Sequence, residues 1–139
     1  MTKTFAFISF IALIFFLYTV PFISQAQFIR ATEADRALIA YEMLQRKDFV
    51  LEYLLNKPYP TKPPLFYWLI ASSYVLFNQV SEFSARFPSA FFSSLLLFLF
   101  FSFLRRNLKN TFFAFFAAAV LASFPQFFKY SVVAEIDMV

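Results

Sequence analysis

The sequence contains no cysteine, no histidine and no glycine. Without cysteine it forms no disulfide and no thiolate metal site, and without histidine it has no imidazole base and no ordinary transition-metal site. We therefore expect no metal and no other cofactor. Any acid–base chemistry must be carried out by aspartate, glutamate, lysine or tyrosine side chains.

Charge is also scarce. Charged residues make up 14% of the 139 positions, compared with roughly 25% in an ordinary soluble domain, whereas 61% of the residues are apolar and 25 are phenylalanine. This composition excludes a soluble globular protein and intrinsic disorder, and it indicates a membrane protein. The formal net charge of +4 does not indicate a nucleic-acid partner, because the basic residues are few and interleaved with acids.

Three uncharged runs predict transmembrane helices at residues 5–23, 87–104 and 111–128, with 19, 18 and 18 residues. Each is long enough to cross a hydrocarbon core of about 30 Å. The alternative for the first run is a cleaved signal peptide, because small residues stand at alternate positions in Ser24, Gln25 and Ala26. The predicted fold class is all-α and integral to the membrane, with three transmembrane helices.

Residues 24–86 form the predicted first outer loop, which carries short amphipathic and interfacial helices. Residues 33–47 form one such helix, because Ala34, Ala37, Leu38, Tyr41 and Leu44 recur at helical spacing. The prolines of residues 48–62 predict a loop. The apolar stretch of residues 63–77 is short enough to favour an interfacial segment over a span.

The charge of the turn between the last two runs sets the predicted orientation. It contains Arg105, Arg106 and Lys109 and no acid, so it belongs in the cytoplasm by the positive-inside rule. Three spans satisfy this rule, whereas a crossing at residues 63–77 would force the turn outside. Seven of the twelve basic residues lie in residues 25–87, but that long segment also holds six acids and is expected to translocate largely regardless of charge.

With three spans, Glu33 and Asp35 emerge after the first span on the same outer face as Glu135 and Asp137 after the third. Lys62, followed by two prolines, lies on that side and can reach a lipid phosphate. Such a cluster suits group transfer from a phosphate-linked lipid. Each residue also has a structural alternative: acids favoured at a helix start, an interfacial lysine anchor, and charges that end an apolar run.

Four segments of the chain carry a family resemblance. They are residues 33–43 (EADRALIAYEM), 57–68 (KPYPTKPPLFYW), 80–90 (VSEFSARFPSA) and 129–139 (KYSVVAEIDMV). In this order they resemble the amino-terminal part of the GT-C membrane glycosyltransferases, above all the lipid A aminoarabinose transferase and its relatives, with the protein O-mannosyltransferases more distant. The most specific elements are the lysine and two prolines before the aromatic cluster, and the serine, glutamate and arginine before Pro88.

The resemblance implies a multi-span enzyme at the outer, periplasmic face of the bacterial inner membrane. Such an enzyme takes a sugar from a polyprenyl-phosphate donor and attaches it to an acceptor, either a lipid A-like glycolipid or a protein hydroxyl. Members of the family are several times this length, so the resemblance implies an amino-terminal fragment that is inactive alone. The alternatives are a three-span assembly subunit without catalysis, which docks a partner helix through Ala114, Ala118 and Ala122, or an inactive truncation product.

The resemblance also implies roles for individual residues. The first-loop catalytic acid matches Glu33 or Asp35, the later-loop acid matches Asp137, and the donor-phosphate contacts match Lys62, Tyr59 and Arg36. The family has adjacent Asp and Glu followed two residues later by Arg, whereas residues 32–36 read TEADR. Which of the two carboxylates is the base therefore stays open.

Overall fold

The computed structural model describes residues 15–16, 19–24, 31–60 and 62–135. Residues 15–16 and 19–23 are helical, and the rest of the predicted first span lies outside the described residues. From residue 31 onward the described chain is mostly helical, with one small hairpin. In chain order the elements are α1 (Ala31–Arg46), β1 (Tyr53–Leu54), β2 (Lys57–Pro58), α2 (Leu65–Phe77), α3 (Glu82–Leu108), α4 (Thr111–Ser123) and α5 (Pro125–Ser131).

Helix α1 corresponds to the predicted amphipathic helix of the outer loop. It buries Ala37, Ala40 and Met43 in a core shared with α2. The small side chains at two of these positions allow the two helices to pack closely. The predicted apolar face is only partly covered, because Leu38 is half-buried and Tyr41 is 37% exposed. This face lines an open cavity instead.

Residues 48–62, predicted as a loop, contain the antiparallel β1–β2 hairpin, so the all-α prediction was incomplete. The turn residues Leu55 and Asn56 have φ angles of 53° and 65°, the left-handed values that a two-residue hairpin turn requires. The Asn56 N–H donates to the Glu42 carboxylate at 3.3 Å, and the Trp68 indole N–H donates to the Phe49 carbonyl at 2.7 Å. The hairpin region is thereby attached to α1 and α2.

Helix α2 lies within the predicted interfacial stretch and has 13 residues. At about 1.5 Å per residue it is about 20 Å long, which is less than a hydrocarbon core of about 30 Å. Phe66, Tyr67 and Ile70 are buried in the core that α2 shares with α1 and the start of α3. The helix ends at Asn78, which has a left-handed conformation. Helix α2 therefore packs in one layer with α1, within the predicted outer loop.

Among the described residues, α3 is the one helix long and apolar enough to cross a membrane unbroken, with 27 residues. It starts with a capping box in which Ser81 and Ser84 exchange hydrogen bonds. Pro88 has no N–H for the Ser84 carbonyl, and the Ser73 hydroxyl of α2 donates to that carbonyl at 2.6 Å. The helix therefore begins before the predicted second span and includes Arg86.

The predicted third span, residues 111–128, consists of the two helices α4 and α5, bent by 68°. The break lies at Phe124, whose φ of −68° and ψ of 120° are extended, because a proline at position 125 disfavours the helical conformation in the residue before it. The pair is long enough to cross only as one broken span. Three spans thus remain a prediction.

The alanine face of α4 is already occupied. Ala114 and Ala118 are buried against Phe101 of α3, with Leu104 packed beside them. Ala122 is half-buried in a separate cluster with Phe127. The face predicted to dock a partner helix is therefore covered largely from within the chain.

The length of α3 and the charge of its last turn predict opposite membrane sides for its two ends. We expect an impermeant maleimide to label Val50→Cys in intact cells, because Val50 is 77% exposed in the predicted outer loop. Asn107→Cys, exposed beside Arg105 and Arg106, should label only after permeabilisation. The natural absence of cysteine makes the unmodified chain the control, and labelling of both sites in intact cells would exclude the crossing.

Candidate active site

The first predicted acid, Glu33, lies in the first turn of α1 and is fully buried. It forms an ion pair with Arg86, which is also fully buried, in the second turn of α3. The guanidinium binds in a fork: Nε donates to Oε1 at 2.6 Å and Nη2 donates to Oε2 at 3.2 Å. A third guanidinium nitrogen, Nη1, lies 3.5 Å from the Ile23 carbonyl. Both charges are thus matched inside the protein.

The same turn of α1 holds the segment that follows α5. The Ala134 N–H donates to Glu33 Oε1 at 2.9 Å, and its carbonyl accepts from Arg36 Nη1 at 3.2 Å. Arg36 also pairs with the Glu135 carboxylate, which accepts from the Thr32 hydroxyl at 3.0 Å. The structure therefore brings together the two acidic regions that lie about a hundred residues apart in the sequence.

The second predicted acid, Asp35, differs from Glu33 in its surroundings. Successive residues of an α-helix are about 100° apart, so Asp35 and Glu33 lie on nearly opposite faces of α1. The Asp35 side chain is half-buried, and it makes no hydrogen bond or ion pair with the residues that the structure describes. Asp137 lies outside the described residues. Of the acids predicted here, Asp35 is therefore the one with a free carboxylate in the described part of the chain.

The three predicted phosphate contacts lie in different environments. Lys62 and Tyr59 are exposed in the segment between β2 and α2, and Tyr59 has 43% of its surface accessible. Arg36 is instead mostly buried, with 14% of its side chain exposed, and it is engaged by Glu135. A phosphate would have to compete with that carboxylate for the Arg36 guanidinium.

An open cavity of about 510 Å³ lies against the face of α1 that contains Ala34 and Leu38. It is lined by residues of α1, α2 and the start of α3: Ala34, Ala37, Leu38, Tyr41, Tyr74, Val80, Ser81 and Glu82. Burial, and secondarily the Glu82 carboxylate, raise the pKa of the Tyr74 phenol well above its usual range. The phenol therefore stays neutral and donates to the Ala37 carbonyl at 3.3 Å.

Sequence reasoning placed Arg86 in a family motif but assigned it no role in the site. The available signal was its position, one residue before an uncharged run of 18 residues. A buried arginine in such a place requires an acidic partner. Among the described residues no group of three or more Asp and Glu side chains that would suit a metal ion is found.

A family model described as dolichyl-phosphate-mannose-protein mannosyltransferase matches residues 61–139, which is more than half of the chain. The matched part contains Lys62, Arg86 and the segment up to Asp137, whereas Glu33 and Asp35 precede it. No curated protein and no solved structure matches the chain.

We expect Arg86→Ala to lower the free energy of unfolding by about 3–5 kcal/mol, because it leaves Glu33 buried without its counter-charge. Thermal unfolding in detergent, followed by circular dichroism, measures the change. The matched control is Arg46→Ala in the same fold, since the Arg46–Glu42 pair at 3.4 Å is partly exposed and such pairs contribute about 0–1 kcal/mol. If Arg86→Ala and Arg46→Ala lowered the free energy of unfolding equally, the assignment of the buried Glu33–Arg86 ion pair would be contradicted.

Proposed function

This chain belongs to the dolichyl-phosphate-mannose-protein mannosyltransferase family, and from that premise we propose that it acts in the transfer of a sugar from a polyprenyl-phosphate donor to an acceptor hydroxyl or glycolipid. The proposal includes membrane attachment, which the long apolar helix α3 supports. We further propose that transfer takes place at the outer face of the bacterial inner membrane. A lipid A-like glycolipid and a protein hydroxyl are both compatible acceptors.

The observation that carries the proposal is the contact between the first turn of α1 and the end of the family-matched segment. Ala134 and Glu135 lie in that segment, and they are held by Glu33 and Arg36. Asp35, two residues after Glu33, keeps its carboxylate free. A free carboxylate fixed close to a buried ion-pair network is what an acceptor-activating base requires.

We propose Asp35 rather than Glu33 as the base. Glu33 Oε1 accepts from Arg86 Nε and from Ala134 N, and Oε2 accepts from Arg86 Nη2. An acid that is fully buried and satisfied by three donors has no access to an acceptor. Asp35 is half-buried on the other side of the helix, so an acceptor can reach its oxygens.

Transfer of the sugar requires a carboxylate to accept the proton of the acceptor. The acceptor oxygen forms a bond to the anomeric carbon as the bond from that carbon to the phosphate oxygen breaks, and the acceptor proton passes to Asp35. Phosphate is already a good leaving group, so no protonated acid is needed, unlike hydrolysis of an ordinary glycoside. Single displacement of this kind inverts the configuration at the sugar carbon.

The departing lipid phosphate needs positive charge nearby. Lys62 is exposed and follows the hairpin, where its long side chain can extend to a phosphate at headgroup depth. Tyr59, also exposed, can donate its hydroxyl to the same group. We propose that these two residues make the first contacts with the donor, because Arg36 is engaged by Glu135.

We expect Asp35→Asn to reduce kcat for transfer by about 10²–10⁴, the usual contribution of a positioned base. The measurement is incorporation of tritiated mannose from polyprenyl-phosphate mannose in membranes that contain the full-length protein, with polyprenyl-phosphate aminoarabinose tested in parallel. Glu42→Gln, on the same helix, is the control and should leave transfer unchanged. An active Asp35→Asn variant would exclude this residue as the base, and a product that retains the donor configuration would exclude single displacement.

Lys62→Ala should raise the KM for the donor about tenfold or more, because the lipid phosphate loses a cation. Lys62→Arg, which keeps the charge, should recover most of the affinity. The control is Lys57→Ala, an exposed lysine of β2, and all three variants are compared by donor titration at two salt concentrations. Identical donor KM values in all three would argue against a phosphate contact at position 62.

A further inference from the structure

One buried ion pair connects three distant parts of the chain. Arg86 comes from α3, Glu33 from α1, and the Ala134 N–H shares the Glu33 carboxylate. The sequence separations of Glu33 from these two partners are 53 and 101 residues. The start of α1 is therefore fixed at the same time against α3 and against the segment after α5.

We propose that Arg86 and Glu33 are positioning residues, which set the orientation of the first α1 turn so that the Asp35 carboxylate faces the acceptor. The inference rests on the proposed function, because it assigns Asp35 as the group being positioned. Neither Arg86 nor Glu33 touches substrate in this scheme. They act through the backbone of α1, two residues from Asp35.

The geometry of the pair suits this role. A guanidinium–carboxylate fork has two parallel hydrogen bonds and so fixes direction as well as distance. Two further contacts surround this ion pair. The Ala134 N–H donates to Glu33 Oε1, and Arg86 Nη1 lies near the Ile23 carbonyl. Rotation of the α1 turn would break several of these contacts at once.

Stability alone does not account for a pair of this kind. Two charges removed from water lose hydration energy, and apolar side chains of similar volume often stabilise a protein at least as well. A second pair, Arg36–Glu135, lies three residues further along α1 and holds the same segment. Two ion pairs on either side of the free acid in the sequence point to a requirement for orientation.

The expected size of the effect follows from catalytic geometry. A misplacement of about 1 Å in a reacting group can reduce the rate about 10²-fold. Donor binding through Lys62 and Tyr59 does not depend on the α1 turn in this scheme. Loosening the turn should therefore reduce kcat and leave the donor KM unchanged.

The experiment uses the double variant Glu33→Gln/Arg86→Gln in the full-length protein. Removal of both charges avoids a lone buried ion, and the amide oxygen introduced at position 33 remains an acceptor for the Ala134 N–H, so the protein is expected to fold. Transfer from tritiated polyprenyl-phosphate mannose should show kcat reduced about 30- to 100-fold with a donor KM within about twofold of the parent. Arg86→Lys keeps the charge but not the two parallel hydrogen bonds. Its kcat should lie between that of the double variant and that of the parent protein. A double variant with normal kcat, or with a donor KM raised as in Lys62→Ala, would overturn the positioning role.

A second measurement is independent of transfer. In a background with Asp35→Cys as the single cysteine, the double substitution should change the rate of maleimide labelling at position 35 several-fold. Gln45→Cys, exposed at the other end of α1, should label at the same rate with and without the double substitution. An unchanged rate at position 35 would overturn the inference even if transfer were lost. Absence of transfer in the parent protein, together with a changed labelling rate, would instead refute the proposed function and leave the ordering of the turn established.

Discussion

The arrangement of the described chain depends on matching one buried positive charge. Arg86 lies inside a helix that continues as an uncharged apolar stretch, and it is completely shielded from solvent. An arginine in such surroundings must have a counter-charge within hydrogen-bonding distance. Glu33 satisfies this requirement only if the first turn of α1 lies against α3. Residues of α1, α2 and the start of α3 share one core, and Leu54 of the hairpin packs against it.

Glu33 and Asp35, both near the start of α1, show how position on a helix determines the surroundings of a side chain. Glu33 and Asp35 are two residues apart and chemically alike, yet they face nearly opposite directions. Glu33 is enclosed by an arginine and a backbone N–H, whereas Asp35 is half-buried and makes no hydrogen bond or ion pair within the described part of the chain. The family match begins at residue 61, so the contact between α1 and residues 134–135 links the unmatched part of the chain to the matched part.

Much of the fold follows from local sequence signals, and the exceptions have identifiable causes. Helical periodicity located α1, and the limited length of the apolar stretch indicated that α2 is too short to cross. The break at Phe124 was missed because uncharged composition was given more weight than Pro125, although a proline commonly ends a helix. The hairpin was missed because its turn has Leu55 and Asn56 where a glycine would normally mark left-handed backbone. The partner of Arg86 was not predictable, since periodicity carries no information about a contact 53 residues away.

The separation of these partners along the chain also sets the order in which the protein can be completed during synthesis. Glu33 is synthesised well before Arg86, and Ala134 follows Arg86 by another 48 residues. At translation rates of roughly 5–20 residues per second, that last interval lasts about 2–10 s. During this time Arg86 is available to the Glu33 carboxylate, whereas the Ala134 N–H is not yet synthesised. Of the contacts to Glu33 described above, the one with residue 134 is therefore the last that can form.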